Sequence, residues 1–326
     1  MELLAGDIGG TNTRLAIYRT LDGKAFEPLT EKIFPSREFQ TLEEILDAFL
    51  PNSSAGVTRA SFGIAGPIID QTCDATNLPW RISAASIKTE FGLEHCWLLN
   101  DLEANAWGIG ALQEQDFHTL NPGQPERLGN ASIISAGTGL GEAGLYWDGR
   151  MHRPFPSEGG HTDFSPSNDL EYGLLRFIAE QHGHVSWERV VSGPGLETIH
   201  EFLRRHHATP VPDWLQQKIE AAGAAPAVSE TALAQGDPIC EQALDLFVNL
   251  YAREAANHAL KIMATGGVYL GGGIAPKILS RLQQPDFLQA FFNKGRMRHL
   301  VEAMPLRVIL NDKAALLGAA RHAALQ

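Results

Sequence analysis

The chain is poor in the features that mark secreted, membrane and nucleic-acid-binding proteins. Of its 326 residues only Cys73, Cys96 and Cys240 are cysteine. They are odd in number and far apart, which excludes a disulfide framework and a cysteine-rich zinc site and suits a reducing compartment. Basic residues are the minority, 26 Lys and Arg against 38 Asp and Glu, giving a formal charge of −12. That balance provides no electrostatic footprint for nucleic acid or an anionic membrane surface, and it favours small-molecule partners. No apolar run approaches the ~20 residues of a membrane span. The start reaches Gly6 and Asp7 too soon for a secretory signal, so an unprocessed cytoplasmic protein is expected. The length admits one large domain or two ordinary ones, and two are expected.

The sequence that is present is organised around Leu98-Leu99-Asn100-Asp101-Leu102-Glu103-Ala104. The apolar run Cys96 to Leu99 reads as a buried strand and the residues after Asp101 as a helix, so a carboxylate stands at a strand-to-helix switch. In open α/β sheets ligands bind beyond the carboxyl ends of the strands, which makes Asp101 a candidate base. The alternative is that Asn100 or Asp101 merely caps the helix.

Leu3 to Ile8, Gly9-Gly10-Thr11-Asn12, and Arg14 to Tyr18 read as strand, tight turn, strand. The glycines supply positive φ and close backbone approach, and Asp7, Thr11 and Asn12 add a polar set that a solvent hairpin would not need. Such a turn binds phosphate oxygens, with Asp7 holding Mg²⁺ through water; an ordinary hairpin is the competing reading. A strand at Glu31 to Phe34, a helix opened by Thr41-Leu42-Glu43-Glu44, a strand at Ala60 to Ala65 and a helix capped by Ser83 follow. A helix from Glu103 to Leu112 is weakened by Gly108 and Gly110. This order leaves Asp7 and Asp101 at strand ends on one side of a sheet.

Phe117 to Asn130, rich in Pro, Gly and Asn, reads as the crossing into a second domain. Ala131 to Ser135, Ala136-Gly137-Thr138-Gly139-Leu140-Gly141, and Ala143 to Trp147 then repeat strand, glycine turn, strand. A second phosphate-contacting turn facing the first would clamp a polyphosphate between the domains; an ordinary glycine-rich hairpin is the competing reading. Glu158, His161 and Asp163 cluster in a glycine-containing loop suited to a hydroxyl-rich ligand, with a metal as the competing occupant. Glu188 reads as a first-turn residue favoured by the helix dipole. The pairs His206-His207 and His182/His184 read as solvated surface. Ala221 to Val228 reads as a loose connection, Asp237-Pro238 opens a long helix to about Met263 ended by Gly266-Gly267, and Val268 to Leu270 is a short strand. Gly271-Gly272-Gly273 before a helix near Pro276 suggests close passage of a flat ring such as adenine, or else a tight strand-to-helix turn. A strand at Leu306 to Leu310 and a helix at Asp312 to Ala324, expected to pack back on the first domain, close the chain.

Taken together and in order, Gly6-Asp7-Ile8-Gly9-Gly10-Thr11-Asn12, Leu99-Asn100-Asp101, Ala136-Gly137-Thr138-Gly139-Leu140-Gly141, Glu158-Gly159-Gly160-His161, Glu188-Arg189-Val190-Val191-Ser192-Gly193-Pro194-Gly195 and Gly271-Gly272-Gly273-Ile274 resemble the bacterial-type glucokinase family. Each is weak alone, whereas the collinear set covers nearly the whole chain. The resemblance implies an α/β, actin-like, hexokinase-type fold of two domains with duplicated mixed β-sheet cores and an interdomain cleft. On this chain the small domain would hold residues 1–112 plus about 303–326, and the large one 113–302.

It further implies ATP-dependent phosphorylation of the 6-hydroxyl of D-glucose, the opening step of glycolysis, with Mg²⁺ and a cytoplasmic homodimer. Asp101 becomes the general base, and Asn100, Asp101, Glu158, His161 and Glu188 the sugar contacts, which reverses the dipole reading of Glu188. The turn Gly6, Asp7, Ile8, Gly9, Gly10, Thr11, Asn12 and the turn Gly137, Thr138 become phosphate sites, and Gly271, Gly272 and Gly273 the adenosine side. The cysteine-rich zinc motif of the related repressor and kinase group has no counterpart here, since no cysteine lies between Cys96 and Cys240. A sugar-sensing regulator on the same fold, or a kinase of another hexose, is the alternative. A regulator of that kind would carry a helix-turn-helix, whereas this sequence opens on the first strand.

Overall fold

The computed structural model describes residues 1–50, 56–124 and 128–326. Its chain divides into two units, one built from Met1–Asp116, Asp148–Pro156 and Asn311–Gln326, the other from Phe117–Trp147 and Ser157–Leu310.

The first unit opens with β1 (Glu2–Ile8), β2 (Asn12–Arg19) and β3 (Glu27–Pro35), then α1 (Leu42–Phe49), β4 (Val57–Ile64), the short hairpin β5 (Thr72–Asp74) and β6 (Arg81–Ser83), α2 (Ala84–Glu90), β7 (His95–Asn100) and α3 (Asp101–Ile109). The sheet order is β3-β2-β1-β4-β7, with the first three strands an antiparallel meander and β1, β4 and β7 parallel. Ile8 lies opposite Ile64, and Ile64 opposite Asn100, so the carboxyl ends of three parallel strands finish in one row. Caps stand where the sequence places them. Thr41 accepts the Glu44 N–H while Glu44 reaches back to the Gln40 N–H, and Ser83 accepts from Ser86. The β5–β6 hairpin is not legible in the sequence, since its strands are only three residues long and polar at their ends.

One face of this sheet packs on the closing helix α12 (Ala314–Leu325), whose Leu316, Ala319 and Ala320 meet Ala5, Ala16 and Tyr18. Helix α12 also packs on α3, and here the glycines have a different role from the one expected. A β-carbon on Gly108 would strike the carbonyl oxygen of Ala314, and one on Gly318 would strike that of Ala104. Gly108 therefore lets two helix backbones touch rather than merely weakening α3. Gly63 in β4 acts in the same way, since an added methyl would collide with the Ala104 side chain, and Asp101 Cα lies in contact distance of the same place. The first turn of α3, and with it Asp101, is thus seated directly on the sheet.

The second unit begins with β8 (Phe117–Asn121), a strand within the stretch expected to be only a crossing segment. Its Pro- and Gly-rich half starts after Asn121, and the Asn121 Nδ2 group is tied to the carbonyls of Glu302 and Met304. There follow β9 (Ala131–Ala136) and β10 (Leu140–Trp147), then β11 (His152–Ser157), which up to Pro156 is counted with the first unit, and, back in the second, α4 (Asp169–His182), α5 (Gly193–His206), α6 (Asp213–Ala222), α7 (Ala224–Leu233), α8 (Pro238–Ile262) and β12 (Gly267–Gly271). Helices α9 (Leu279–Leu282), α10 (Pro285–Phe292) and α11 (Arg298–Glu302) lead to β13 (Leu306–Ile309). Within this unit the strands run β10-β9-β12-β13-β8. The pairing of β13 with β12 and β8 assigns Leu306–Ile309 to this second sheet, and the chain rejoins the first unit at Asn311.

Three expectations are corrected here. Ala221–Val228 is not a loose connection, because α6 and α7 meet there at Gly223, whose φ of +86° turns the chain from the two alanines that end α6 into the alanine-rich α7. Alanine's helix propensity, together with the burial of Ala227, Val228 and Ala232 on one side of α7, makes this stretch helical. Helix α8 ends in a left-handed Met263, φ 55°, ahead of the glycine pair. After Gly273 the chain makes turns through Pro276 and Lys277 and becomes helical only at Leu279. The expected core stripe of α8 is present: Ala243, Phe247 and Leu250 are fully buried, with Leu246 and Leu260 packed beside them.

Candidate active site

In the first unit the chemistry gathers at the row of strand ends. Asn100 is the cap of α3: its Oδ1 accepts the Leu102 N–H at 3.0 Å and its Nδ2 donates to the Gly66 carbonyl at 3.2 Å. The cap role therefore falls on Asn100. Asp101 is the first helical residue, half-buried, with Oδ1 2.9 Å from the same Leu102 N–H, and its charge benefits from the helix N-terminus.

Asp7 stands beside it. Burial pushes the Asp7 carboxyl up to about 6, and the negative charge of Asp101 adds to the effect, opposed by Arg14 and reinforced by Asp312. Two carboxylates next to each other in a poorly hydrated place form an arrangement that a cation relieves. Among the described residues no group of three His, Cys, Asp or Glu is placed to hold a metal. A hard cation held by one carboxylate together with waters and substrate phosphates fits that donor set, and a closed zinc site does not.

The sign of the shift yields a stability prediction. Well below pH 4 Asp7 is neutral in folded and unfolded chains alike; above about pH 6 the folded chain bears the full cost of ionising it. Asp7→Asn is therefore expected to raise the metal-free protein's stability at pH 8 by about 1–3 kcal/mol, with the difference shrinking to about 0.5 kcal/mol near pH 4. Thermal melts in chelator at the two pH values check this, and an equal or lower Tm for the variant at pH 8 would contradict it.

The turn after Asp7 is braced from outside. Buried Ser36 donates its hydroxyl to the Gly9 carbonyl at 2.7 Å and its N–H to the Thr11 carbonyl at 2.9 Å, and it sits 2.9 Å from the Thr13 hydroxyl. Thr11 and Asn12 are exposed at the tip. Neither Gly9 nor Gly10 has positive φ, so the reason for glycine differs from the one expected. A β-carbon on Gly10 would meet the side chain of Asn77, and Gly6 lies against Phe62. These are close-approach positions.

The second unit carries the other turn and the other carboxylates. Gly137 and Thr138 lie between β9 and β10, with the Gly137 carbonyl accepting the Gly193 N–H at 2.8 Å. A β-carbon on Gly137 would meet nothing within 4 Å, so the turn presents open backbone. Glu188 is not the first-turn residue of a long helix: it occupies a short 3-10 turn, Trp187–Arg189, ahead of α5. Its Oε2 accepts the Leu140 N–H at 3.0 Å and lies against Gly139, which joins this carboxylate to the glycine turn.

Glu158 and His161 flank another 3-10 turn, Gly159–His161, with their side chains largely exposed and 4.0 Å apart at Oε2 and Nε2. Thr162, next in the chain, accepts the Trp187 N–H at 3.0 Å, so the Glu158–His161 turn and the Glu188 turn are fastened together. Asp163 does not join them and pairs instead with His184 at 2.9 Å. Gly159 and Gly160 also lack positive φ; β-carbons there would meet the Glu142 carboxyl and the Leu140 carbonyl. Gly271 is packed on Ser135 and Ile133, Gly272 takes φ +79° with its carbon against Ala136, and Gly273 is open.

Functional candidates that no sequence motif marks are Ser36, Arg14 and the buried trio Glu142, Glu254 and His258. The trio left a signal, a lone carboxylate in the otherwise apolar Leu140–Trp147 strand and a Glu and His four apart, in line with the apolar positions of a long helix.

Comparison with known proteins identifies the family and the fold. The family model described as Glucokinase matches residues 4–326. The glucokinase of Nostoc punctiforme is 42% identical over 336 aligned positions, covering 99% of this chain and 98% of that protein. The crystal structure of a glucokinase from an Antarctic psychrotroph superposes with a TM-score of 0.89 at 29% identity, covering 100% of this chain and 99% of the other. A glucokinase of the ROK family from Streptomyces griseus, solved with glucose and AMPPNP, shares the fold at a TM-score of 0.62 and 23% identity over the full length of both chains. The fold is thus that of the glucokinase and ROK hexokinase-type kinases, and the chain belongs to the glucokinase family.

Proposed function

We propose that the protein transfers the γ-phosphoryl group of ATP to the 6-hydroxyl of D-glucose, with Asp101 as the general base. The observation that carries the assignment is the division of labour at the start of α3: Asn100 caps the helix, while the adjacent Asp101 stands at the strand-end row beside Asp7.

The step is an in-line displacement. The proton of the glucose 6-hydroxyl passes to the Asp101 carboxylate as the oxygen attacks the γ-phosphorus, the bond to the β-phosphate oxygen breaks, and ADP and glucose 6-phosphate leave. Asn100, Glu158, His161 and Glu188 orient the sugar through its other hydroxyls. A closed site rejects an epimer because each unmade hydrogen bond costs ~1–3 kcal/mol. The Gly10–Asn12 tip that follows β1 and the Gly137–Thr138 turn present backbone N–H groups to the phosphates, Gly6, Asp7 and Ile8 being paired on both sides in the sheet, and Gly271–Gly273 provides room for the adenosine. Asp7 would hold Mg²⁺, directly or through water, and the ion would supply charge neutralisation on the phosphates.

In the cell the same reading is of a cytoplasmic homodimer. No helix among the described residues is long and apolar enough to cross a membrane. A coupled assay with glucose, mannose, fructose and N-acetylglucosamine tests the assignment. Glucose is expected to give the highest kcat/KM, activity to require Mg²⁺, and a zinc-selective chelator to leave the rate unchanged. Equal or better turnover of another hexose would overturn the substrate, and restoration by zinc alone would overturn the metal.

A further inference from the structure

Beneath the Glu158–His161 turn the second unit buries a carboxyl group that the phosphoryl-transfer step does not use. Glu142 on β10 is 1% exposed. Neither of its oxygens has a well-formed hydrogen bond. Its Oε2 lies 3.2 Å from Nδ1 of His258, which is 2% exposed, and against the α-carbon of Gly159, where a β-carbon would collide with it. The other ring nitrogen, Nε2, is 3.0 Å from the carbonyl oxygen of Ala143. A carbonyl only accepts, so Nε2 carries the hydrogen, and Nδ1 of the neutral ring presents a lone pair. A lone pair facing a carboxylate is repulsive, and the contact requires one proton between the two groups.

Burial decides where that proton resides. Separating charge into a buried imidazolium and carboxylate would cost more than keeping both groups neutral. Desolvation accordingly pushes the Glu142 carboxyl up to about 8 and the His258 imidazole down. Glu254, also fully buried, is the second carboxyl of the cluster; it accepts from Asn257 at 2.8 Å, and Lys261 lies 3.6 Å away. Lys294 completes the cluster, donating to Asn257 at 2.6 Å and to the Arg253 carbonyl.

We propose that Glu142 is a positioning residue for the sugar: as a neutral acid shared with His258 it supports the Glu158–His161 turn, and loss of the shared proton weakens glucose binding without slowing the phosphoryl transfer. The inference rests on Glu158 and His161 being sugar contacts. Once ionised, a sealed carboxylate that lacks donors requires water, and the turn covering it at Gly159 must lift to admit that water. Asp101 belongs to the other unit's sheet, so the chemical step is not touched.

The test is the glucose Kd by calorimetry and the glucose KM and kcat by coupled assay, from pH 7 to pH 9.5, for wild type and Glu142→Gln. Wild-type Kd and KM are expected to rise above about pH 8 by up to tenfold per pH unit, the limit for one linked proton, with kcat flat. In Glu142→Gln, whose amide donates to His258 at every pH, that rise should disappear. Lys294 is pushed down to about 8 and titrates in the same window, and it remains in the variant, so a rise that survives in Glu142→Gln belongs to Lys294 and overturns the inference. A flat wild-type profile overturns it too. Gly159→Ala offers a second route if Glu142→Gln does not fold: its methyl presses on the carboxyl and should raise KM at all pH values while leaving kcat unchanged, and an unchanged KM would count against the proposal. Failure of wild type to phosphorylate glucose at pH 7 would instead defeat the functional assignment beneath it.

Discussion

Asp101→Asn is expected to lower kcat by ~10²- to 10⁴-fold while glucose affinity changes little, because asparagine keeps the size of the side chain and cannot take the proton of the attacking hydroxyl. The local structure makes this a clean experiment. Helix α3 is capped by Asn100, and the bond from the Leu102 N–H to Asp101 Oδ1 is one that an asparagine oxygen also accepts. The melting temperature should therefore remain close to that of wild type. Steady-state kinetics and a thermal melt on one preparation check both parts. Near-normal kcat would reduce Asp101 to a helix-terminus residue.

The second large effect is expected at Glu188. Its Oε2 accepts the Leu140 N–H beside the Gly137–Thr138 turn, and in the proposed site the same carboxylate takes a sugar hydroxyl. Glu188→Ala removes both partners and leaves the Leu140 N–H without its acceptor. Hydrogen bonds to charged groups contribute ~1.5–3 kcal/mol each, so the loss of two predicts a fall in kcat/KM for glucose of ~10²-fold or more. The KM for ATP should rise too, because the turn that loosens is the phosphate-facing one. Glu188→Gln keeps an acceptor for Leu140 and should restore the ATP KM more fully than the glucose KM. Wild-type constants for the alanine variant would return Glu188 to a structural role in its 3-10 turn.

Much of the site is legible in the sequence because its chemistry is encoded locally. Strand, glycine turn and carboxylate appear as contiguous runs, so hydrophobic patterning alone puts Asp7, Asn100, Asp101 and the Gly137–Thr138 turn at strand ends, where the fold has them. The reasons for the glycines are less legible. Gly9 and Gly10 read as positive-φ positions and Gly159 and Gly160 as loop glycines, yet what excludes a side chain at Gly10 and Gly159 is a neighbour distant in sequence, Asn77 or Glu142. Gly108 likewise reads as a flaw in α3 until Ala314, far along the chain, is found against it. Tertiary contact also makes β8 out of a stretch rich in turn residues, and it brings Glu188 to Leu140 across 48 positions. The His258 ring shows the same limit: its tautomer follows from the Ala143 carbonyl, which no local pattern announces.

The most direct test of the central claim is the product itself. In ³¹P NMR of a reaction holding the protein, ATP, Mg²⁺ and glucose, the phosphate ester of the 6-hydroxyl should grow in equal measure with ADP, and 6-deoxyglucose, which lacks that hydroxyl, should yield no ester. Binding of glucose by calorimetry with no phosphate ester formed would contradict the account and make the chain a sugar-binding protein without kinase activity.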